Sequence, residues 1–136
     1  MDDSKYFEAA QTLAQGLSQW DLLIIAGSMI IIVSTGYYRP QSRAMRFIYF
    51  LFLPSWVLLA LSIYKGIEVQ GSYVAYLVAA RHANAAVIEN ISGKMNDNVT
   101  SQILFLKVAL LCLAAWLILY ILWWVLSDKI SGEGTK

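Results

Sequence analysis

Three long segments with almost no charge constrain this chain more than any other feature of its sequence. They run over residues 22–38, 47–64 and 103–126, and Lys107 is the only charged residue within them. A helix that crosses the ~30 Å hydrocarbon core of a bilayer needs about 20 mostly apolar residues, at ~1.5 Å of rise per residue. The pattern therefore predicts an all-α integral membrane protein, a single membrane domain with three transmembrane helices, TM1, TM2 and TM3.

Composition agrees with a membrane protein and excludes several other classes. Hydrophobic residues make up 59% of the 136 residues and charged residues 14%, against roughly 25% charged in a soluble domain. A net charge of +1 provides no basic field for nucleic acid. One cysteine and one histidine exclude an internal disulfide and a Cys-rich or His-rich metal site. No Walker, G-x-S-x-G or H-E-x-x-H motif occurs, so we expect no catalytic residue, metal or cofactor.

The distribution of lysine and arginine predicts the orientation in the membrane. Arg39, Arg43 and Arg46 lie in the short link between TM1 and TM2, and the tail over residues 127–136 adds two lysines on the same side. Cytoplasmic loops carry an excess of Lys and Arg. We therefore expect a cytoplasmic C-terminus, an outside N-terminus and a location in a bacterial inner (plasma) membrane. The acidic start of the chain lacks the pattern of a cleavable signal peptide.

An amphipathic helix is predicted ahead of TM1, over residues 4–19. Its apolar stripe contains Tyr6, Leu13 and Leu17, and its opposite face is polar. This polar face is not cationic, so attraction to anionic lipid is not its driving force. The helix either lies in the membrane interface or continues TM1 outward.

A further helix is predicted between TM2 and TM3, over residues 72–91, on the outside or in the interface. Ala75, Ala79 and Ala83 recur every four residues, and small residues on one helix face allow another helix to approach closely. The partner of this face is either the chain's own spans or a neighbouring subunit. The charged and titratable residues of the segment are Arg81, His82 and Glu89.

Lys107 is the functional candidate of the spans, because ionisable residues within a membrane are costly and often functional. It lies near the outer end of TM3, at the side where Asp21, Lys65 and Glu68 also occur. We expect these four residues to meet in one layer, with an Asp21–Lys107 ion pair that fixes the packing of TM1 on TM3. The alternatives are snorkelling of Lys107 to the headgroups and a role in binding an ion or substrate.

Pro54 is expected to kink TM2 near its middle. A proline within a helix removes one hydrogen bond and frees a carbonyl oxygen, and the adjacent Ser55 is a candidate to satisfy that group. We interpret the kink as static.

The layout of an amphipathic helix followed by three spans resembles the small prokaryotic diacylglycerol kinases, in which three such chains form the enzyme. That family has paired glutamates around an Asn-Ser pair at the end of the second span, whereas residues 62–66 here read SIYKG. The resemblance covers the layout alone, and it implies an oligomeric enzyme that acts on lipid headgroups.

Three functional hypotheses follow from these features. The first is a non-catalytic accessory or scaffold subunit that contacts membrane lipids and other membrane subunits. The second is a homo-oligomeric pore with Lys107 or the arginines as a charged ring and a hydroxyl lining. That lining would consist of Ser28, Ser34, Thr35, Ser55 and Ser62. The third hypothesis is the lipid-headgroup enzyme.

Overall fold

The computed structural model describes residues 3–35, 47–82 and 85–131 of the protein. Three long helices make up most of this part of the chain. Helix α1 spans Asp3–Thr35, α2 spans Phe52–Arg81 and follows a short 3-10 helix over Phe47–Leu51, and α3 spans Ala85–Ser131. The helices contain 33, 30 and 47 residues. At ~1.5 Å per residue they are about 50, 45 and 70 Å long. All three are long and apolar enough to cross a membrane, so the all-helical prediction is confirmed.

Helices α1 and α2 run antiparallel. Near one end of the bundle the ring of Phe7 stacks on that of Tyr76, with 3.8 Å between the ring centroids. Further along, the Trp56 indole Nε1 donates a hydrogen bond of 2.8 Å to Ser28 Oγ. The residue number therefore rises on α1 while it falls on α2.

Helices α2 and α3 also run antiparallel, so α1 and α3 are parallel. The Ser62 hydroxyl donates to the main-chain oxygen of Gln102 at 3.2 Å, and the Ser55 hydroxyl donates to that of Ala109 at 3.0 Å. Both serines reach backbone carbonyls of the neighbouring helix. Their small side chains allow the two helices to approach closely at these points.

Each helix buries residues at a seven-residue spacing. This repeat is typical of helices that pack knobs into holes at a shallow crossing angle. On α1 the buried residues are Phe7, Ala14, Asp21 and Ser28. On α3 they are Met95, Gln102, Ala109 and Trp116. On α2, which contacts both neighbours, they are Phe52, Ser55, Leu59, Ser62, Gly66, Val69, Tyr76 and Ala79.

Charge divides the bundle into two halves along its axis. We call residues 3–21, 65–82 and 85–102 the polar half, and residues 22–35, 47–64 and 103–126 the apolar half. All described charged residues up to 126 lie in the polar half except Lys107. The polar half has a core of its own, formed by Phe7, Ala14, Val69, Tyr76 and Met95. The three helices therefore remain packed together where their surfaces become polar.

The separate helix predicted over residues 72–91 is not present. The segment is divided between two helices: residues 72–81 form the end of α2, which ends at Arg81, and residues 85–91 form the beginning of α3. Gly93 and the Asn-rich stretch 96–98 remain helical, although these residues have low helix propensity. The neighbouring Met95 is fully buried in the polar-half core, and this packing outweighs the local preference.

Two other boundaries also differ from the sequence-based expectation. The amphipathic segment 4–19 continues directly into TM1 within α1, which is the second of the two predicted placements. Pro54 lies in the first turn of α2, directly after the 3-10 helix, and not near the middle of a helix. The missing N–H of proline costs little in a first turn, so Pro54 marks a change of helix type. Ser55 bonds to Ala109 of α3 and not to a carbonyl freed by the proline.

Candidate functional site

A buried polar layer lies where the polar and apolar halves meet. Asp21 of α1, Ser62 of α2 and Gln102 of α3 each have an exposed fraction of 0%. All three occupy core positions of the heptad spacing, which turns their side chains toward the bundle axis. Burial of a carboxyl group, a hydroxyl and an amide at one level is costly unless the groups are satisfied. We therefore treat this layer, named here the Asp21 layer, as the candidate site.

The Gln102 amide connects α3 to α1. Its Nε2 donates to the main-chain oxygen of Ala14 at 3.1 Å and to Ser18 Oγ at 3.2 Å. The Ser18 hydroxyl in turn donates to Ala14 O at 3.0 Å. The amide nitrogen thus contacts two oxygens of α1, whereas the amide oxygen Oε1 is buried without a hydrogen-bond partner.

The Asp21 carboxyl group has no hydrogen-bond donor. Both of its oxygens are buried without a partner. The Ser62 hydroxyl lies beside it, but that hydroxyl has a single proton, which it donates to Gln102 O. An unpartnered carboxyl group in the interior of a helical bundle is a functional candidate in its own right.

Gly66 allows the three helices to close around the layer. A Cβ atom at this position would lie 2.5 Å from Ser18 Oγ and 2.8 Å from Gln102 Nε2. These distances are too short for real Cβ contacts. A Cβ atom here would force the side chains of Ser18 and Gln102 to move, so the glycine accommodates their close approach.

An ion pair borders the layer on its polar side. Lys65 Nζ lies 2.6 Å from Glu68 Oε2 one turn along α2 and donates at 3.1 Å to Asn98 Oδ1 of α3. The two charged side chains are about one-third exposed. Lys65 is thereby engaged by Glu68 and Asn98, and it contributes a second polar link between α2 and α3.

The predicted Asp21–Lys107 pair is wrong. Lys107 is exposed, whereas Asp21 is buried and has no ion-pair partner among the described residues. At ~100° per residue, Lys107 is turned by about 140° from Gln102 and by about 160° from Ala109, the residues of α3 that face the bundle. It therefore lies on the outer face of α3. The four-residue layer expected from the sequence is reduced to the Lys65–Glu68 pair and a separate Asp21.

The predicted alanine face is divided in the structure. Ala79 is buried and Ala75 is exposed, while Ala83 lies outside the described residues. Arg81, His82 and Glu89 are exposed; Arg81 and His82 lie at the end of α2 and Glu89 lies on α3. These three do not form a joint site. Arg39, Arg43 and Arg46 also lie outside the described residues.

Sequence reasoning missed Gln102, Ser18 and Gly66. The sequence carries no clear signal for Gln102, because other series of α3 spaced by seven, such as Val99, Leu106 and Leu113, are more apolar. Burial in the structure is what assigns Gln102 to the packed face. The contacts of Ser18 and Gly66 depend on which side chain lies opposite, and a single sequence does not give that.

Neither a protein-family model nor a curated protein nor a solved structure matches this chain. Within residues 3–35, 47–82 and 85–131 there is no cluster of three or more His, Cys, Asp or Glu that could hold a metal ion.

Proposed function

We propose that this chain is an integral membrane protein that serves as a non-catalytic accessory or scaffold subunit of a membrane complex. The three apolar helical segments support insertion in a bilayer. Trp20 and Tyr64 are exposed near the level of the Asp21 layer, and Trp124 is exposed toward the other end of the apolar half. Amphipathic aromatic rings favour the two membrane–water interfaces. We place the polar half outside and the C-terminus in the cytoplasm of a bacterial plasma membrane, as the arginine distribution favours.

Lys107 fits this placement as a residue that snorkels. It lies about one turn into the apolar half from the Asp21 layer and is exposed on the outer face of α3. The long apolar stem of a lysine can cover this distance along the helix surface and bring the ammonium group to the headgroups.

The observation that carries the proposal is an exposed apolar seam on α2. Its residues alternate at spacings of four and three along nearly the whole helix. They are Leu53, Val57, Ala60, Tyr64, Ile67, Gly71, Val74 and Val78. In the apolar half, lipid can cover such a seam. In the polar half, which we place outside the hydrocarbon core, Ile67, Val74 and Val78 remain 59%, 60% and 55% exposed.

The seam has the spacing expected for packing against a helix of another membrane subunit. The four-and-three spacing is that of a coiled-coil contact, and it continues without interruption from the apolar into the polar half. A partner helix that leaves the bilayer beside α2 would therefore bury both parts of the seam.

The homo-oligomeric pore is less well supported. Three of the serines expected to line it are buried and engaged within the bundle: Ser28 accepts from Trp56, Ser55 donates to Ala109, and Ser62 donates to Gln102. Ser34 and Thr35 donate to carbonyls of their own helix. The lipid-headgroup enzyme has no residue constellation in the described part of the chain that favours it.

The test is site-specific photo-crosslinking in native membranes, with the crosslinking residue at Val74 and a matched control at the exposed polar position Asn96. We expect one adduct of defined mass from Val74 and none from Asn96, and Val74→Lys should abolish the association of the two chains. Adducts with lipid alone, or none, would overturn the proposal.

Native mass spectrometry of the purified chain in nanodiscs separates this proposal from the pore. A monomer agrees with an accessory subunit whose partner has been left behind. A single closed oligomer of four or more copies would instead favour the pore, and conductance recordings with Lys107→Gln would then follow.

A further inference from the structure

The Asp21 layer contains more hydrogen-bond acceptors than donors. Its donor groups are the hydroxyls of Ser18 and Ser62 and the amide nitrogen of Gln102, and each of them is engaged within the bundle. Three oxygens remain without a donor: the two of the Asp21 carboxyl group and Oε1 of Gln102. Such an imbalance calls for a ligand that donates hydrogen or carries positive charge.

No side chain of the described bundle supplies that charge. Lys107 lies on the outer face of α3, and Lys65 pairs with Glu68 and Asn98. On α1 itself, Lys5 and Glu8 are exposed and lie several turns away. An ionised carboxyl group without a partner in a water-excluded interior is very unfavourable, and such groups become neutral instead.

The packing leaves little room for a large ligand. Asp21, Ser62 and Gln102 are completely buried, and even a Cβ atom at Gly66 would collide with Ser18 and Gln102. Three grooves on the bundle surface are lined by other residues. A proton is the one cation that needs no additional space.

We propose that Asp21 is a proton-binding site, protonated while the bundle is closed. The carboxyl O–H then supplies one of the donors that the layer lacks and removes the uncompensated charge. Release of this proton to water requires the layer to open, so proton binding and closure of the bundle at this level are coupled. This inference does not depend on whether α2 docks to another subunit.

Infrared spectroscopy of the full chain in nanodiscs at neutral pH tests the site directly. We expect the C=O stretching band of a protonated carboxylic acid, absent in Asp21→Asn and retained in Asp97→Asn, a matched change of an exposed carboxyl group. If Asp21→Asn does not fold, Ser62→Ala should still shift the band, since the hydroxyl lies beside Asp21. A spectrum without this band, or a band insensitive to the Asp21 and Ser62 changes, would overturn the proposal.

Thermal unfolding against pH provides the second test. In the unfolded chain, an aspartate side chain is ionised above its ordinary pKa of ~3.9. The Tm of the wild-type protein should therefore fall by at least about 3 °C more than that of Asp21→Asn between about pH 5 and about pH 9. Both proteins contain the same other charged side chains near this level, so the comparison isolates Asp21. These are Lys65 and Glu68 of α2 and the exposed Asp97 and Lys107 of α3.

Sodium ions supply the competing outcome. If added Na⁺ at fixed pH raises the Tm of the wild-type protein but not that of Asp21→Asn, the layer binds a metal cation and the proton site is wrong. If the Tm of the two proteins changes with pH in parallel, the proton site is wrong as well. The proton site is supported if the Tm of the wild-type protein falls with pH more than that of Asp21→Asn and does not respond to Na⁺.

Discussion

The side-chain amide of Gln102 donates to the main-chain oxygen of Ala14 at 3.1 Å, across 88 positions of sequence. This bond joins the first and third helices at the level where the polar half of the bundle meets the apolar half. It also requires a close approach that a side chain at Gly66 would prevent. The residues around it provide specific tests of the structure.

Gly66→Ala should destabilise the bundle. The new methyl group would lie within 3 Å of Ser18 Oγ and Gln102 Nε2, and overpacking of this kind costs about 1–3 kcal/mol in free energy of unfolding. Gly71→Ala is the matched control, because nothing lies within 4 Å of its Cβ position. In an open helical site Ala is better than Gly by about 0.5–1 kcal/mol. Reversible unfolding in mixed micelles measures the change in free energy of unfolding for both variants. If both changes have the same sign, the described geometry of the Asp21 layer is wrong.

Asp21→Asn and Lys107→Gln should have additive effects on stability. The two side chains occupy the inner and outer faces of the bundle, so removal of one does not alter the surroundings of the other. Sites without shared partners add within about 0.5 kcal/mol. A double-mutant cycle checks this expectation. A coupling of more than about 1 kcal/mol would restore the ion pair that the sequence suggested.

Phe7→Ala should loosen the polar half. Phe7 is 1% exposed and stacks on Tyr76, and removal of a buried phenylalanine side chain costs about 3–5 kcal/mol. Leu13→Ala, at a position that is 47% exposed, should change stability by at most about 0.5 kcal/mol. Amide hydrogen exchange should accelerate in the polar half after Phe7→Ala. Similar exchange in both variants would show that this half is not packed as described.

Lys65→Ala should cost more than Glu68→Gln. The lysine loses both the ion pair within α2 and the hydrogen bond to Asn98 of α3, whereas Glu68→Gln leaves the bond between the helices intact. We expect a loss of about 1 kcal/mol for the lysine and a smaller loss for the glutamate, since partly exposed ion pairs are weak. Unfolding at low and high salt separates the two contributions, because only the ion pair is screened. Equal losses for the two variants would contradict the bond to Asn98.

The three long apolar segments are the property that the sequence determined alone. Long runs without charge have few alternatives to a helix in a hydrophobic environment, because every backbone group must find a partner within its own segment. The number of long apolar helices was therefore correctly predicted.

Tertiary structure decided which groups lie opposite one another. Periodicity gives the face of a residue but not the register of two helices. Asp21 lies beside Ser62 and not beside Lys107, because Lys107 lies on the outer face of α3. Packing likewise keeps Gly93 and Asn96 helical and divides the predicted helix over residues 72–91 between α2 and α3. Burial of Phe7, Val69 and Met95 in the polar-half core is gained only when all three helices extend together. That gain is a property of the assembled bundle, and no single segment of the sequence contains it.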